Sequence, residues 1–204
     1  MVSINCERKY TKINQYYLIM AQTPSNMLPI GTKAPNFTLK DVISNEYLSL
    51  SELKGSKATV FFFICNHCPF VIHINKELVS IANDFSLKGV SFIAISSNDV
   101  VNYPQDAPPL MKEIATLEKY PFPYLYDENQ EVAKVYHAAC TPDIYVFDAK
   151  LKLAYRGQLD NSRPGNNIPI TGKDLRNALA NLLDGIEISG NQKPSIGCNI
   201  KWKV

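Results

Sequence analysis

The stretch that most constrains the fold is an apolar run that leads into two cysteines and then into a helical pattern. Residues 58–64 are almost all apolar, which is typical of a central parallel strand covered on both faces. From Val71 onward, apolar residues recur at three- and four-residue steps, which predicts one face of a helix. Cys65 and Cys68, spaced as Cys-x-x-Cys, therefore fall at the start of the predicted helix.

A thiol at a helix start has a lowered pKa, because free backbone N–H groups and the helix dipole stabilise the thiolate. The thiolate is the nucleophile of disulfide exchange, and a second thiol nearby resolves the mixed disulfide. A charged His67, between the two cysteines, would lower this thiol pKa further. Half a zinc site has the same spacing, but no second pair of this kind completes four ligands. We expect a redox pair, with no metal and no bound cofactor.

The composition argues against two classes of partner. The 204 residues include 21 basic and 19 acidic ones but no basic block that could follow a phosphate backbone, so we expect no nucleic-acid binding. No apolar run reaches the roughly 18 residues of a membrane span, and no signal-peptide core is evident. We therefore expect no membrane association and a cytoplasmic location.

The cysteines do not form the pattern of a secreted disulfide framework, because their number is odd and only one pair is close in sequence. They are Cys6, Cys65, Cys68, Cys140 and Cys198. Cys6 and Cys198 lie near the two ends of the chain, where we interpret them as incidental.

Three regions differ in their patterning. Residues 1–27 are expected to be a poorly structured extension, in which Met20 is either the true start or a residue of a mobile arm. Residues 28–185 form one domain, and residues 186–204 form a tail packed on it.

Within the domain, the patterns predict elements in a defined order. A β-hairpin precedes the strand–helix–strand unit that ends at 90–96, and a proline-rich loop, 102–109, then borders the functional region. An α-rich insertion follows, then a hairpin at 144–157 and a last helix that stops at Gly185.

This order resembles the thioredoxin fold, an α/β fold with a central mixed β-sheet flanked by helices, here with an N-terminal β-hairpin and a C-terminal tail. More closely, the chain resembles redoxins of the AhpC/TSA and thioredoxin-like group. The motifs that carry the resemblance are Lys33-Ala34-Pro35-Asn36-Phe37-Thr38-Leu39, Cys65-Asn66-His67-Cys68-Pro69 and the ending at 193–203.

The resemblance implies a role for each site residue. Cys65 matches the exposed attacking cysteine, and Cys68 matches the buried resolving one. Pro142 matches the cis-proline that faces them, so that the backbone of Thr141 would pair with an extended substrate. His67, directly before the second cysteine, matches a histidine in the dipeptide between the cysteines of strongly oxidising relatives. In those proteins the histidine stabilises the thiolate.

The function that follows is thiol–disulfide exchange on a protein or small-molecule disulfide, with a dithiol reductase as electron donor. One alternative is a peroxidase with Cys68 as the peroxidatic cysteine. Against it, Cys65 stands where peroxiredoxins have threonine, and Phe61 stands where they have proline. Arg156 is the one evident arginine that could help to activate a peroxide. A second alternative is a metal carrier that uses Cys65, Cys68 and a histidine.

Cys140 lies two residues before Pro142 and so has two interpretations. It is either a small buried hydrophobe, as free cysteine often is, or a third thiol that resolves Cys65 when Cys68 is absent.

We predict that deleting residues 1–19 leaves both melting temperature and activity unchanged, because this segment has no patterned apolar face to bury. Thermal denaturation of the full and shortened chains tests this. A fall of several degrees would show that the segment packs on the domain.

Overall fold

The structure is a computed structural model that describes residues 22–204. The strands are β1 Gln22–Pro24, β2 Thr38–Asp41, β3 Tyr47–Ser49, β4 Ala58–Phe63, β5 Val90–Ser96, β6 Tyr124–Tyr126, β7 Cys140–Thr141, β8 Asp143–Asp148, β9 Leu153–Arg156 and β10 Ile196–Asn199. The helices are α1 Leu50–Leu53, α2 Pro69–Ser86, α3 Pro108–Leu117, α4 Glu131–Val135 and α5 Lys173–Leu183. A 3₁₀ turn covers Pro104–Asp106. No helix in this part of the chain is both long enough and apolar enough to cross a membrane.

Seven of the strands form one mixed sheet in the order β3-β2-β6-β5-β4-β8-β9. β4 pairs in parallel with β5 and antiparallel with β8, and β5 pairs in parallel with β6. The expected mixed sheet with flanking helices is therefore confirmed. The segment between β5 and β8 is more than the predicted α-rich insertion, because its strand β6 joins β2 to the rest of the sheet.

The central strand β4 is fully buried, and its side chains pack in two separate hydrophobic cores. Successive side chains of a strand point to opposite faces of the sheet. Phe62 accordingly packs in the core that contains Leu78 of α2, whereas Phe61 packs in the opposite core with Tyr136. This burial on both faces explains why residues 58–64 are apolar without alternation.

The start of helix α2 includes only one of the two cysteines that the sequence analysis placed there. Its N-cap is Cys68 and its first residue is Pro69, whose missing N–H costs nothing at this position. Cys65 therefore lies in the loop before the helix, and only Cys68 stands at the helix N-terminus.

A second, smaller sheet has the order β1-β10-β7 and joins the two ends of the described chain. β1, at residues 22–24, lies within the region expected to be a poorly structured extension, which is corrected here for these residues. Within the C-terminal tail, residues 196–199 form the central strand of this small sheet.

The approach of β10 to β7 requires glycine at position 197. A Cβ atom on Gly197 would overlap the carbonyl oxygen of Thr141, which is backbone and cannot swing away. The absence of a side chain thus sets the distance between the tail and the Thr141–Pro142 segment.

We predict that Gly197→Ala destabilises the fold by about 1–3 kcal/mol, the usual cost of forcing extra volume into a packed site. The free energy of unfolding from urea denaturation measures this. Gly190→Ala is the matched control, because a Cβ there meets no atom within 4 Å. Equal effects of the two substitutions would contradict the prediction.

Candidate active site

The two cysteines of the Cys-x-x-Cys motif lie in different backbone environments. β4 ends at Phe63, after which the Ile64 N–H still donates to the carbonyl of Ile95 over 3.0 Å. Cys65 then lies in the loop, and Cys68 caps α2. Their exposed fractions are 2% for Cys65 and 0% for Cys68, so Cys65 is the thiol of the pair that is nearer to solvent.

Cys68 Sγ lies where the Cys-x-x-Cys loop, the Thr141–Pro142 segment and β10 meet. It is 3.0 Å from the carbonyl oxygen of Thr141 and 3.0 Å from Sγ of Cys198. A protonated Cys68 donates its hydrogen to that carbonyl, whereas an ionised Cys68 accepts the S–H of Cys198. Both forms of Cys68 therefore have a hydrogen-bond partner inside the protein.

Cys65 also contacts the segment that precedes the proline. Its Sγ is 3.5 Å from Oγ1 of Thr141 and 3.9 Å from Nδ1 of His67. The Thr141–Pro142 peptide bond is cis, as the resemblance implied. The structure therefore brings together the five residues predicted to act at this site.

Hydrogen bonds among three thiols set the direction of their pKa values. The hydrogen bond to Cys68 raises the pKa of Cys65, and burial and the Asp106 carboxylate raise it further. Burial alone would raise the pKa of Cys68, but hydrogen bonds from Cys198 and Cys65 outweigh it and lower that pKa. The pKa of Cys198 is raised, chiefly by its hydrogen bond to Cys68.

The lowered pKa of Cys68 favours ionisation of this thiol, which stands at the N-terminus of α2. The sequence placed both thiols at the helix start and so predicted a lowered pKa for the attacking residue Cys65. That prediction is corrected, because Cys65 lies outside the helix and near a carboxylate.

That carboxylate belongs to Asp106, a fully buried residue of the 3₁₀ turn. Its Oδ1 accepts hydrogen bonds from the backbone N–H of Asn66, at 2.9 Å, and of His67, at 3.3 Å. Its Oδ2 accepts from Nδ1 of His67, at 2.7 Å, and from Nδ2 of Asn98, at 2.8 Å. Four donors thus compensate one buried charge and fix the loop between the cysteines.

His67 is held in place rather than free to act as a base. Its Nδ1 atom, the one nearer to Cys65, is engaged with Asp106, and its ring stacks on Tyr103 with centroids 5.8 Å apart. A positive charge on His67 would be compensated by Asp106 before it could act on a thiolate. His67 therefore positions the loop more than it activates Cys65.

Sequence reasoning missed two residues of this site, Asp106 and Cys198. Asp106 lies in the proline-rich loop that the sequence did place beside the functional region, although no residue of the loop was singled out. Cys198 was interpreted as incidental in a tail. That interpretation is corrected by its contact with Cys68, and the only signal available was its position within the motif at 193–203.

Cys140 is buried, and its Sγ lies 3.5 Å from the carbonyl oxygen of Pro142. Burial raises its pKa strongly, so it is a poor nucleophile in this position. Among the described residues, the third thiol in contact with the Cys-x-x-Cys pair is Cys198 rather than Cys140.

One group of side chains in the described part of the chain has the spacing of a metal site. The ligand atoms of Cys65, His67 and Asp106 all lie within 4.8 Å of one another. The metal-carrier alternative named Cys65, Cys68 and a histidine, so Asp106 takes the place of Cys68 in this set. One nitrogen of His67 already serves Asp106, which leaves the group better suited to hydrogen bonding than to ligation.

Comparisons with known proteins agree with this architecture. The family model described as "AhpC/TSA family" matches residues 30–156. An uncharacterized conserved protein from Geobacillus kaustophilus is 58% identical, with a TM-score of 0.89 over 90% of this chain and 97% of that one. A hypothetical protein from Sinorhizobium meliloti is 42% identical, with a TM-score of 0.87 over 89% and 99%.

A more distant structure shares the fold alone. It is a peroxidoxin from Mycobacterium tuberculosis, 19% identical, with a TM-score of 0.58 over 79% of this chain and 100% of that one. A search of curated protein sequences found no match.

We predict that Asp106→Asn lowers the pKa of Cys65, because the substitution removes a negative charge that opposes the thiolate. In a Cys68→Ser background, the alkylation rate of Cys65 should reach its half-maximal value at a lower pH. Mass spectrometry of the peptide that contains Cys65 gives the rate.

The matched control is Asp84→Asn, because the Asp84 carboxylate pairs with Arg176 at the surface over 2.7 Å. It should leave the pH midpoint where it is. An unchanged or higher midpoint for Asp106→Asn would remove the carboxylate from the electrostatics of Cys65.

Proposed function

The chain belongs to the AhpC/TSA family, and we propose that it is a thiol–disulfide oxidoreductase with Cys65 and Cys68 as its redox pair. The observation that carries this proposal is the meeting of both thiols at Thr141, directly before the cis-proline. The interaction between the two thiols raises the pKa of Cys65 and lowers that of Cys68.

The proposed reaction consumes one substrate disulfide, one protein thiol, one protein thiolate and one proton. Cys65 Sγ attacks one sulfur of the substrate as its proton passes to the Cys68 thiolate, and the other substrate sulfur leaves as a thiolate that takes a proton from water. Cys68 Sγ then attacks Cys65 Sγ as its proton passes to the second leaving sulfur, which departs as a thiol and leaves a Cys65–Cys68 disulfide. Two electrons have moved from the protein to the substrate, and a dithiol reductase returns them.

Access to the site favours a small disulfide as substrate. An extended segment of a folded protein was expected to pair with Thr141, but β10 of the same chain already pairs there, with Cys198 opposite Thr141. Cys65 is also only 2% exposed. A compact disulfide reaches such a sulfur more readily than one on a protein surface. We propose the cytoplasm as the location, since dithiol reductants are available there.

A peroxidase is the second candidate, and the position of Cys68 at the N-terminus of α2 is the observation that favours it. An ionised thiol at a helix N-terminus can attack a peroxide to give a sulfenic acid and an alcohol or water. Cys65 would then condense with the sulfenic acid and release water. Against this candidate, Arg156 is engaged elsewhere: it pairs with Asp143 at 3.0 Å and donates to the His137 carbonyl at 2.8 Å.

We predict that Cys65→Ser abolishes turnover of a small disulfide, whereas Cys68→Ser accumulates the mixed disulfide on Cys65. The reason is that only the second thiol displaces the substrate. Intact-mass measurement detects the adduct, and a coupled dithiol reductase measures turnover. Cys140→Ser is the matched control, a buried cysteine outside the pair, and should keep turnover near that of the parent.

The same three variants, assayed in parallel on hydrogen peroxide, separate the two candidates. Peroxide consumption that survives Cys65→Ser and is lost in Cys68→Ser would favour the peroxidase. Accumulation of the mixed disulfide on Cys68, in the Cys65→Ser variant, would reverse the proposed roles. Stoichiometric metal in the purified protein would instead support the metal carrier.

A further inference from the structure

We propose that Cys198 is a third redox thiol of this site, which exchanges with the Cys65–Cys68 disulfide to form a Cys68–Cys198 disulfide. The proposal rests on the proposed function, because it takes the product of that reaction as its starting point. It assigns a chemical role to the C-terminal strand.

The first argument is the distance between sulfur atoms. Cys198 Sγ lies 3.0 Å from Cys68 Sγ, and a disulfide bond measures about 2.05 Å, so bond formation requires an approach of roughly 1 Å. Both side chains are almost completely buried, with 2% exposure for Cys198 and 0% for Cys68. No other group has to leave for the sulfurs to meet.

The second argument is that the backbone of β10 fixes the position of Cys198. The strand pairs with β7 on one side and with β1 on the other, so it is the central strand of its sheet. Cys198 stands opposite both Thr141 and Gln22 in these two pairings. Gly197 keeps the strand close to Thr141, as described above. Pairing along both edges of β10 therefore holds Cys198 in place beside Cys68.

The chemical step balances without any further oxidant. The Cys198 thiolate attacks Cys68 Sγ, the Cys68–Cys198 bond forms, and the Cys65–Cys68 bond breaks with Cys65 leaving as a thiolate. The proton lost by Cys198 is taken up by Cys65. The protein remains oxidised by two electrons throughout, and only the position of the disulfide changes.

This exchange leaves Cys65, the cysteine that attacks substrate in the proposed reaction, as a free thiol. Cys65 carries no disulfide after the exchange, and the oxidised bond joins two residues that are almost completely buried. The C-terminal strand is then covalently joined to the N-terminus of α2. Cys65 is thereby available to a further substrate disulfide, while the oxidising equivalent is held by Cys68 and Cys198.

The experiment uses the full chain with Cys65→Ser and Cys6→Ser, so that Cys6, which lies outside the described residues, cannot contribute. Diamide is the oxidant and accepts the two electrons and two protons. Tryptic digestion separates the peptide at 58–76 from the peptide at 177–201, and mass spectrometry detects their linkage. We expect this linked pair to be the main oxidised product.

Two matched variants test whether the linkage is specific. Adding Cys198→Ser should abolish it, whereas adding Cys140→Ser should leave it unchanged. Free Cys198 or a Cys68–Cys68 dimer as the main product of the Cys65→Ser chain would overturn the proposal. Circular dichroism of each reduced variant confirms that the linkage is compared among folded proteins.

A second arm uses the Cys6→Ser chain with all three site thiols present. After oxidation by a small disulfide, we expect both the internal Cys65–Cys68 product and the product linked to 177–201. The internal product alone would overturn the proposal for Cys198 and leave the proposed function standing. The absence of both would contradict the proposed function itself, so the two failures are distinguishable.

Discussion

The contact of Cys68 Sγ with the Thr141 carbonyl and with Cys198 Sγ is the interaction on which the rest of the site depends. A buried thiol that changes its charge needs a partner in each state, because an unpaired buried charge is costly. Here one partner serves the thiol and the other serves the thiolate. Each comes from a different part of the chain, so the helix N-terminus, the cis-proline segment and the C-terminal strand must all be in place together.

The Asp106 carboxylate is the second constraint on the site, and its negative charge opposes the ionisation of Cys65. Its carboxylate is buried with four donors, which hold the Cys-x-x-Cys loop and, through Asn98, reach the tail, where the Lys201 N–H donates to Asn98 Oδ1 at 2.9 Å. The same negative charge raises the pKa of Cys65. The carboxylate that orders the loop thus makes Cys65 less acidic, whereas the pKa of Cys68 is lowered.

The sequence predicted those parts of the molecule that depend on local pattern. β4, α2 and the β8–β9 hairpin follow from runs and periods of apolar residues, and the Cys-x-x-Cys pair could be read directly. β10 could not be predicted, because Ile196-Gly197-Cys198-Asn199 has only four residues, and two of them, glycine and asparagine, disfavour strands. The Cys68–Cys198 contact joins residues 130 apart in sequence, and Asp106 reaches the loop from 40 positions away. The direction of the Cys65 pKa depended on a helix whose N-cap is Cys68, so that Cys65 lies in the loop before it.

The small sheet β1-β10-β7 is paired separately from the large sheet. Its strands have three, four and two residues, and the seven-stranded sheet does not need them for its own pairing. Elements with few hydrogen bonds open at a lower free energy than the global unfolding of a domain. We therefore expect bulky thiol reagents to reach the buried sulfurs through a local opening of the tail. For the proposed oxidoreductase, the rate of that opening, more than the stability of the whole protein, would set how fast large partners exchange electrons with it.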